Sequence, residues 1–342
     1  MEKYGWMLYA NLLFFLMNAG IGQAMTKAES FYRGKNISFI IPYSPGGGYD
    51  LYGRMIMPTL GKHTGASVVA NNVPGGGALI GTNTLFAAKP DGLTIGILNG
   101  TGMTLSQMTE QKGVRYDMNR FTMLGRISTD DEFIYIGSKS PYKTTEAFLN
   151  SRDKEIKWVT EGKAGSPYYR VVLVCELLKL PRAKILTGYP GSAEANLAII
   201  RGDADGTAGT YGSRQSQVDS GEFIPVLILG KKRSKDFPKV PTIYEVSGLN
   251  DSDRKLADFL VGLDKLGRLI AAPPMTDKEK VGYLRAVLKR VAEDTDLVAR
   301  AKKEKREIVY APQEDVMKMI QDVLKAPPDI RRRIDEALKR YD

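Results

Sequence analysis

Apolar positions along the chain fall mostly into short unbroken runs, separated by glycine-rich turns and by longer segments of helical spacing. Between residues 35 and 99 the order is strand, helix, strand, helix, strand, at 37–42, 50–62, 66–71, 78–88 and 93–98. Continuous apolar strands alternating with helices predict an α/β unit whose sheet is covered on both faces. Pro58 falls inside the first helix, which is therefore expected to kink or stop early. Two further strands, 121–127 and 133–136, flank Asp130-Asp131-Glu132, where the chain is expected to cross into a second unit.

That unit repeats the grammar. A strand at 156–160 leads through Glu161-Gly162-Lys163-Ala164-Gly165-Ser166-Pro167 to a helix at 168–178, with Ser166 as N-cap and Pro167 at the first helical position. A strand at 184–189, the turn Pro190-Gly191-Ser192-Ala193, a helix to residue 200, a short strand within 204–210 and an apolar strand at 223–229 follow. The segment 237–242 reads as the return crossing. After it come a strand at 269–272, a helix at 276–293, a strand at 308–310 and two short helices parted by Pro327-Pro328. Val281, Leu284, Val287, Leu288 and Val291 recur at the spacing of a helix face turned to a core. The expected division is one discontinuous domain, 25–129 plus 232–342, and a second domain, 130–231, with hinges near 128–131 and 229–235.

One stretch organises the rest: Pro42-Tyr43-Ser44-Pro45-Gly46-Gly47-Gly48-Tyr49-Asp50. Three glycines after a strand let backbone approach a ligand closely. Asp50 then reads as the N-cap of the next helix, a corner whose free N–H groups can hold an anion. The device recurs at Asn72-Val73-Pro74-Gly75-Gly76-Gly77-Ala78, again after an apolar strand, so both loops are expected to face one crevice. A plain strand-to-helix turn is the competing reading of each triplet alone.

In order and spacing, these loops and the turn Lys89-Pro90-Asp91-Gly92 resemble the extracytoplasmic solute-binding proteins of tripartite tricarboxylate transporters, the TctC or Bug family. The resemblance runs from about residue 35 to about residue 320. It takes in 161–167, the turn Tyr189-Pro190-Gly191-Ser192-Ala193, the turn Arg201-Gly202-Asp203-Ala204-Asp205 and Lys239-Val240-Pro241-Thr242. The chain departs from the family wording at Tyr49, where a Thr-like residue is usual, at Pro190, over 250–268 and in the Pro327-Pro328 tail.

The resemblance implies a two-domain α/β fold of the periplasmic-binding-protein type II kind, with a ligand cleft between domains joined by two crossing strands. It implies a small carboxylate held largely by backbone N–H groups of the Gly-rich loops, and delivery to a two-subunit membrane permease. The expected ligand-binding residues are Tyr43, Ser44, Gly46, Gly47, Gly48, Tyr49, Asp50, Pro74, Gly75, Gly76, Gly77, Lys163, Ala164, Gly165, Ser166, Gly191, Ser192, Gly209 and Thr210. A ligand sensor of the same fold, without a transport role, is the alternative.

Composition narrows the picture further. The 342 residues are 43% hydrophobic and 26% charged, ordinary for a globular protein, with a net charge of +10. The basic runs Lys231-Lys232-Arg233 and Arg331-Arg332-Arg333 lack interleaved aromatics and read as solvated faces, so no nucleic-acid partner is expected. Cys175 is the only cysteine and lies in an apolar run, which excludes intramolecular disulfides and Cys-based metal clusters. The only histidine, His63, sits in a helix-ending context, and no Gly-x-Ser-x-Gly elbow or phosphate loop occurs. An enzyme is not expected, nor a cofactor or metal, and the protein is expected to be a monomer. Residues 1–24 read as a secretory leader: Lys3, an apolar core over 6–17, and Gly22-Gln23-Ala24 before the cut. The mature chain would then begin at Met25 in the periplasm; an uncleaved anchor is the other outcome.

Overall fold

A computed structural model describes residues 27–341. The leader reading, including the start at Met25, lies outside the described residues. The first lobe begins with α1 (Lys27–Tyr32), β1 (Asn36–Ile41), α2 (Gly48–Thr64), β2 (Ser67–Asn72), α3 (Leu79–Phe86), β3 (Thr94–Asn99), α4 (Gly100–Met108) and β4 (Thr122–Ser128). The second lobe holds β5 (Glu132–Gly137), α5 (Thr145–Leu149), β6 (Ile156–Val159), α6 (Ser166–Leu178), β7 (Ala183–Leu186), α7 (Ser192–Arg201), β8 (Gly206–Thr210), α8 (Tyr211–Asp219) and β9 (Phe223–Ile228). Then come α9 (Asp251–Gly262), β10 (Arg268–Ala272), α10 (Lys278–Glu293), α11 (Thr295–Lys303), β11 (Ala311–Pro312), α12 (Gln313–Leu324) and α13 (Pro328–Arg340).

The first sheet has the order β11-β4-β10-β3-β1-β2, and the second β7-β6-β8-β5-β9. β1 runs parallel to β2 and β3, whereas β10 lies antiparallel between β3 and β4. In the second sheet β6 runs parallel to β7 and β8, and β5 antiparallel to β8 and β9. Each sheet therefore joins a parallel half to antiparallel strands beside the chain crossings. Phe39, Ile41, Ile95, Ile97 and Ile270 fill the first sheet's interior, packed on Ile56 and Leu60 of α2 and on Leu284 and Leu288 of α10. Helical spacing over 276–293 reports this burial.

Three sequence expectations shift. The helix containing Pro58 does not stop; it runs on to Thr64. Its inner face is buried at Ile56, Met57 and Leu60, and Arg300 donates to the Met55 carbonyl at 2.6 Å, beside the bond row that Pro58 interrupts. The first crossing falls between Ser128 and Glu132, but the return to the first sheet comes at Leu266 and Gly267, not at 229–235. Residues after β9 stay with the second lobe because Ile228 bridges Thr242 and α9 packs on α6. The chain changes lobe once more near Pro327: α12 packs on α4 and β4, and α13 on α6 and α9. Gly267 takes φ +52 where the two crossings touch, and a Cβ there would stand 2.1 Å from the Ser128 carbonyl oxygen.

Candidate ligand-binding site

Between the lobes lies a cavity of about 50 Å³ that five helix starts surround. Three of them, α2, α6 and α7, have glycine at the N-cap (Gly47, Gly165, Gly191) and no side-chain cap. Their first residues, Gly48, Ser166 and Ser192, line the cavity. The other two starts are capped, α4 by Asn99 accepting from the Gly102 N–H and α8 by Thr210 accepting from the Ser213 N–H. A helix start leaves its first N–H groups without intrahelical partners and carries roughly half a positive charge. Three such starts, two from the second lobe and one from the first, make an anion-binding corner.

Gly47 has φ −82 and ψ 169, ordinary extended backbone, and Gly48 is helical, so neither glycine is there for a left-handed turn. They are there for room. A Cβ on Gly47 would stand 2.7 Å from Ser192 Oγ, and one on Gly48 would stand 2.2 Å from Ser213 Oγ and 2.7 Å from its Cβ, all across the lobe boundary. The second triplet serves both needs: Gly75, Gly76 and Gly77 take φ +127, +63 and +70, and a Cβ on Gly77 would also meet the Gly165 nitrogen at 2.5 Å and the Gly162 oxygen at 2.8 Å. Ser44 crosses the same boundary, its Oγ donating to Glu194 at 2.9 Å.

Asp50 is not the helix cap expected of it. It lies inside the first turn, three residues past the cap position, because Gly47 is the N-cap and α2 already begins at Gly48. Its carboxylate instead accepts from the Gly46 N–H, Arg54 and the Asn72 side chain, each at 2.9 Å, and Asn72 also donates to the Tyr43 carbonyl. Burial raises the carboxyl's pKa, but these donors outweigh it and hold it below the ordinary value. Asp50 thus fastens the first loop to β2. Ser166 likewise is the first helical residue rather than the cap, with Gly165 before it.

Arginine side chains, absent from the Gly-rich loops themselves, enter from outside them. Arg170 reaches Glu132 at 3.0 Å and Asp264 at 2.9 Å. Arg268 reaches Asp130 at 2.7 Å, Ser213 at 2.8 Å and Thr210 at 3.2 Å, with its guanidinium 3.9 Å over the Tyr52 ring and 5.2 Å over Tyr49. It therefore joins the first crossing, the second lobe and α2 through one side chain. Tyr49, the departure from family wording, stacks on Tyr43 at 4.8 Å. Arg214 stands 3.8 Å from Glu161. Burial pushes the Glu132 and Glu161 carboxyls up, opposed by Arg170 and Arg214 respectively. Burial and neighbouring Glu132 lift Asp264 to about 8 against the pull of Arg170.

Of the residues expected from sequence, Tyr43, Gly48, Tyr49, Ser166, Ser192, Gly209 and Thr210 line this cavity. Ser44, Gly47, Gly77 and Gly191 lie at the lobe boundary beside it, and the Ala164 carbonyl accepts from Ser106 across that boundary at 3.3 Å. Gly46, Asp50, Pro74, Gly75, Gly76 and Gly165 shape loops without lining it, and Lys163 borders a separate groove with Lys112 and Arg331. Sequence reasoning missed Asn99, Asp130, Glu132, Glu161, Arg170, Ser213, Arg214, Asp264 and Arg268. Arg170 had one available signal, a lone cation in the first turns of an otherwise apolar helix. Among the described residues no group of three or more His, Cys, Asp or Glu side chains could hold a metal ion.

Two α/β lobes closed over a cavity lined by helix starts, with two crossings beside it, define a two-lobed solute-binding protein. The family follows from the sequence. Residues 53–335 match the family model TctC, "Tripartite tricarboxylate transporter family receptor", and the chain belongs to that family. A Pseudomonas sp. (strain P51) relative, the UPF0065 protein of the tcbD-tcbE intergenic region, is 24% identical over 246 residues, 68% of this chain and 70% of the relative. Among solved structures, the periplasmic binding protein BugD superposes with TM-score 0.74 at 20% identity, covering 90% of this chain and 98% of BugD. MatC of Rhodopseudomonas palustris, solved with bound malate, gives 0.73 at 18% identity, covering 89% and 99%. The family and these neighbours are solute-binding proteins, not enzymes.

Proposed function

We propose that this protein is exported, captures a compact carboxylate-bearing solute between its lobes and presents it, closed, to a two-subunit membrane permease. The observation that carries the reading is the convergence of three helix starts without side-chain caps, at Gly48, Ser166 and Ser192, on one cavity between lobes. Charge-assisted bonds from backbone N–H groups are strong and do not need an arginine dedicated to the ligand. That matters here, since Arg170 and Arg268 are already paired with Glu132, Asp264 and Asp130. The malate held by MatC is of the same chemical kind. The cavity has a few times the ~10–15 Å³ that one water needs, which favours short solutes.

Ligand that binds only the closed arrangement shifts the lobes toward it by its differential affinity. Thermal denaturation against a panel of short mono-, di- and tricarboxylates and amino acids tests the reading. A ligand at ~100 times its dissociation constant adds about 2.7 kcal/mol of stability. Unchanged melting across the whole panel would refute carboxylate capture.

A further inference from the structure

The charged residues around the cavity are unequally satisfied. Arg170 and Arg268 each hold carboxylates at 3.0 Å or closer. Glu161 and Arg214 do not reach one another: their closest approach, 3.8 Å, is too long for a hydrogen bond. Glu161 is 4% exposed and Arg214 2% exposed, and both line the cavity. Glu161 Oε2 and Arg214 Nε have no hydrogen-bond partner among the described residues; Glu132 Oε2, Arg170 Nε and Arg268 Nε have none either, but those three residues each keep an ion pair at 3.0 Å or closer. A buried carboxylate is an acceptor and nothing else, so its unused oxygen calls for a donor.

The lining as a whole carries no surplus of positive side chains. Asp130, Glu132, Glu161 and Asp264 face Arg170, Arg214 and Arg268. That is four carboxyl groups against three guanidiniums. Only the helix starts add positive potential, and they lie at one side, at Gly48, Ser166 and Ser192. A simple dicarboxylate would set its second negative charge against Glu161.

We infer that the cavity selects a ligand bearing an ammonium as well as a carboxylate, a small amino acid, with the ammonium donating to Glu161 and the carboxylate at the helix starts. This rests on the carboxylate-capture reading and narrows it. Glu161 is then the residue that distinguishes an amino acid from the acid lacking its amine. Loss of a charge-assisted bond, with a buried carboxylate left unpaired, is on the order of tenfold to a hundredfold in affinity.

Titration calorimetry on the mature protein with matched sets tests this: L-alanine against propionate, L-aspartate against L-malate and succinate, L-glutamate against glutarate. The amino acid of at least one set is expected to bind at least about tenfold more tightly than its partners, and Glu161→Gln to remove that preference while the variant's circular dichroism stays unchanged. If in no set the amino acid binds more tightly than the acids lacking its amine, while some acid binds, the inference is overturned and carboxylate capture stands. If Glu161→Gln folds and keeps the wild-type preference, Glu161 is not the selector and the inference falls. The comparison of sets in the wild type decides the ammonium question even if the variant fails to fold. Binding by no acid in any set overturns this inference and the capture reading together.

Discussion

Replacing Gly48 by alanine separates closure of the lobes from folding of either one. Gly48 is the first residue of α2 and has helical backbone, so alanine strains nothing within the first lobe. A Gly to Ala change in a helix is worth up to about 1 kcal/mol, less at an end than in the interior, so the lobe itself is expected to gain slightly. Across the boundary the added methyl meets Ser213, at 2.2 Å from Oγ and 2.7 Å from Cβ. Rotating the hydroxyl relieves the first contact but not the second, because Cβ moves only with the α8 backbone. Forcing an extra methyl into close-packed surroundings costs ~1–3 kcal/mol. Charged entirely to the closed form, that weakens ligand affinity by roughly five- to 150-fold, since 1.4 kcal/mol is tenfold. The assay is calorimetric titration with whichever panel compound stabilises the wild type most, beside unliganded melting curves. Expected are an unliganded melting temperature equal to or above wild type and a dissociation constant raised within that range. Wild-type affinity in Gly48→Ala would refute the account in which Gly48 and Ser213 come together on binding.

Other expectations follow from the same contacts. Gly47→Val should also weaken binding with the fold intact, through its approach to Ser192 rather than through backbone strain, and wild-type affinity by calorimetry would refute this. Asp264 titrates at about 8 in the fold and near ~3.9 in an unfolded chain, so the fold binds its proton more tightly. Its stabilising contribution is complete below about pH 4 and is lost as pH rises through about 8; Asp264→Asn should flatten the fall in urea stability between pH 5 and 8, and an unaltered slope would contradict the assignment. Ile334 of α13 is fully buried in the core that α6 shares, and Ile334→Ala should cost ~2–5 kcal/mol by urea denaturation, whereas a change near zero would mean that α13 is not docked.

The alternation of apolar runs and glycine turns made the two α/β units readable, because strands buried on both faces leave continuous apolar segments. Two of the helices that escaped that reading share a reason. α4 (GTGMTLSQM) and α8 (YGSRQSQVD) are rich in glycine and polar residues, and both are held by packing between lobes rather than by an apolar stripe. α9 lies in the stretch that departs from family wording, and its position on α6 places the return crossing late. At the site, glycine loops were visible as loops, yet whether a glycine serves φ, close approach or both depends on the folded surroundings: Gly47 serves close approach alone, Gly77 both. Arg170, Arg214 and Arg268 come from a helix interior, a polar helix and a strand start, far apart in sequence. Nothing local marks them as neighbours; only the topology of two closed sheets brings them to one cavity.

The central claim is that a carboxylate sits at the starts of α2, α6 and α7. Amide nitrogen-15 shifts of deuterated, labelled protein, followed during titration with the tightest-binding panel compound, test it most directly. The account predicts the largest changes at the Gly48, Ser166 and Ser192 amides, saturating together with one dissociation constant. Largest changes in the separate groove bordered by Lys112, Lys163 and Arg331, with those three amides unmoved, would contradict it.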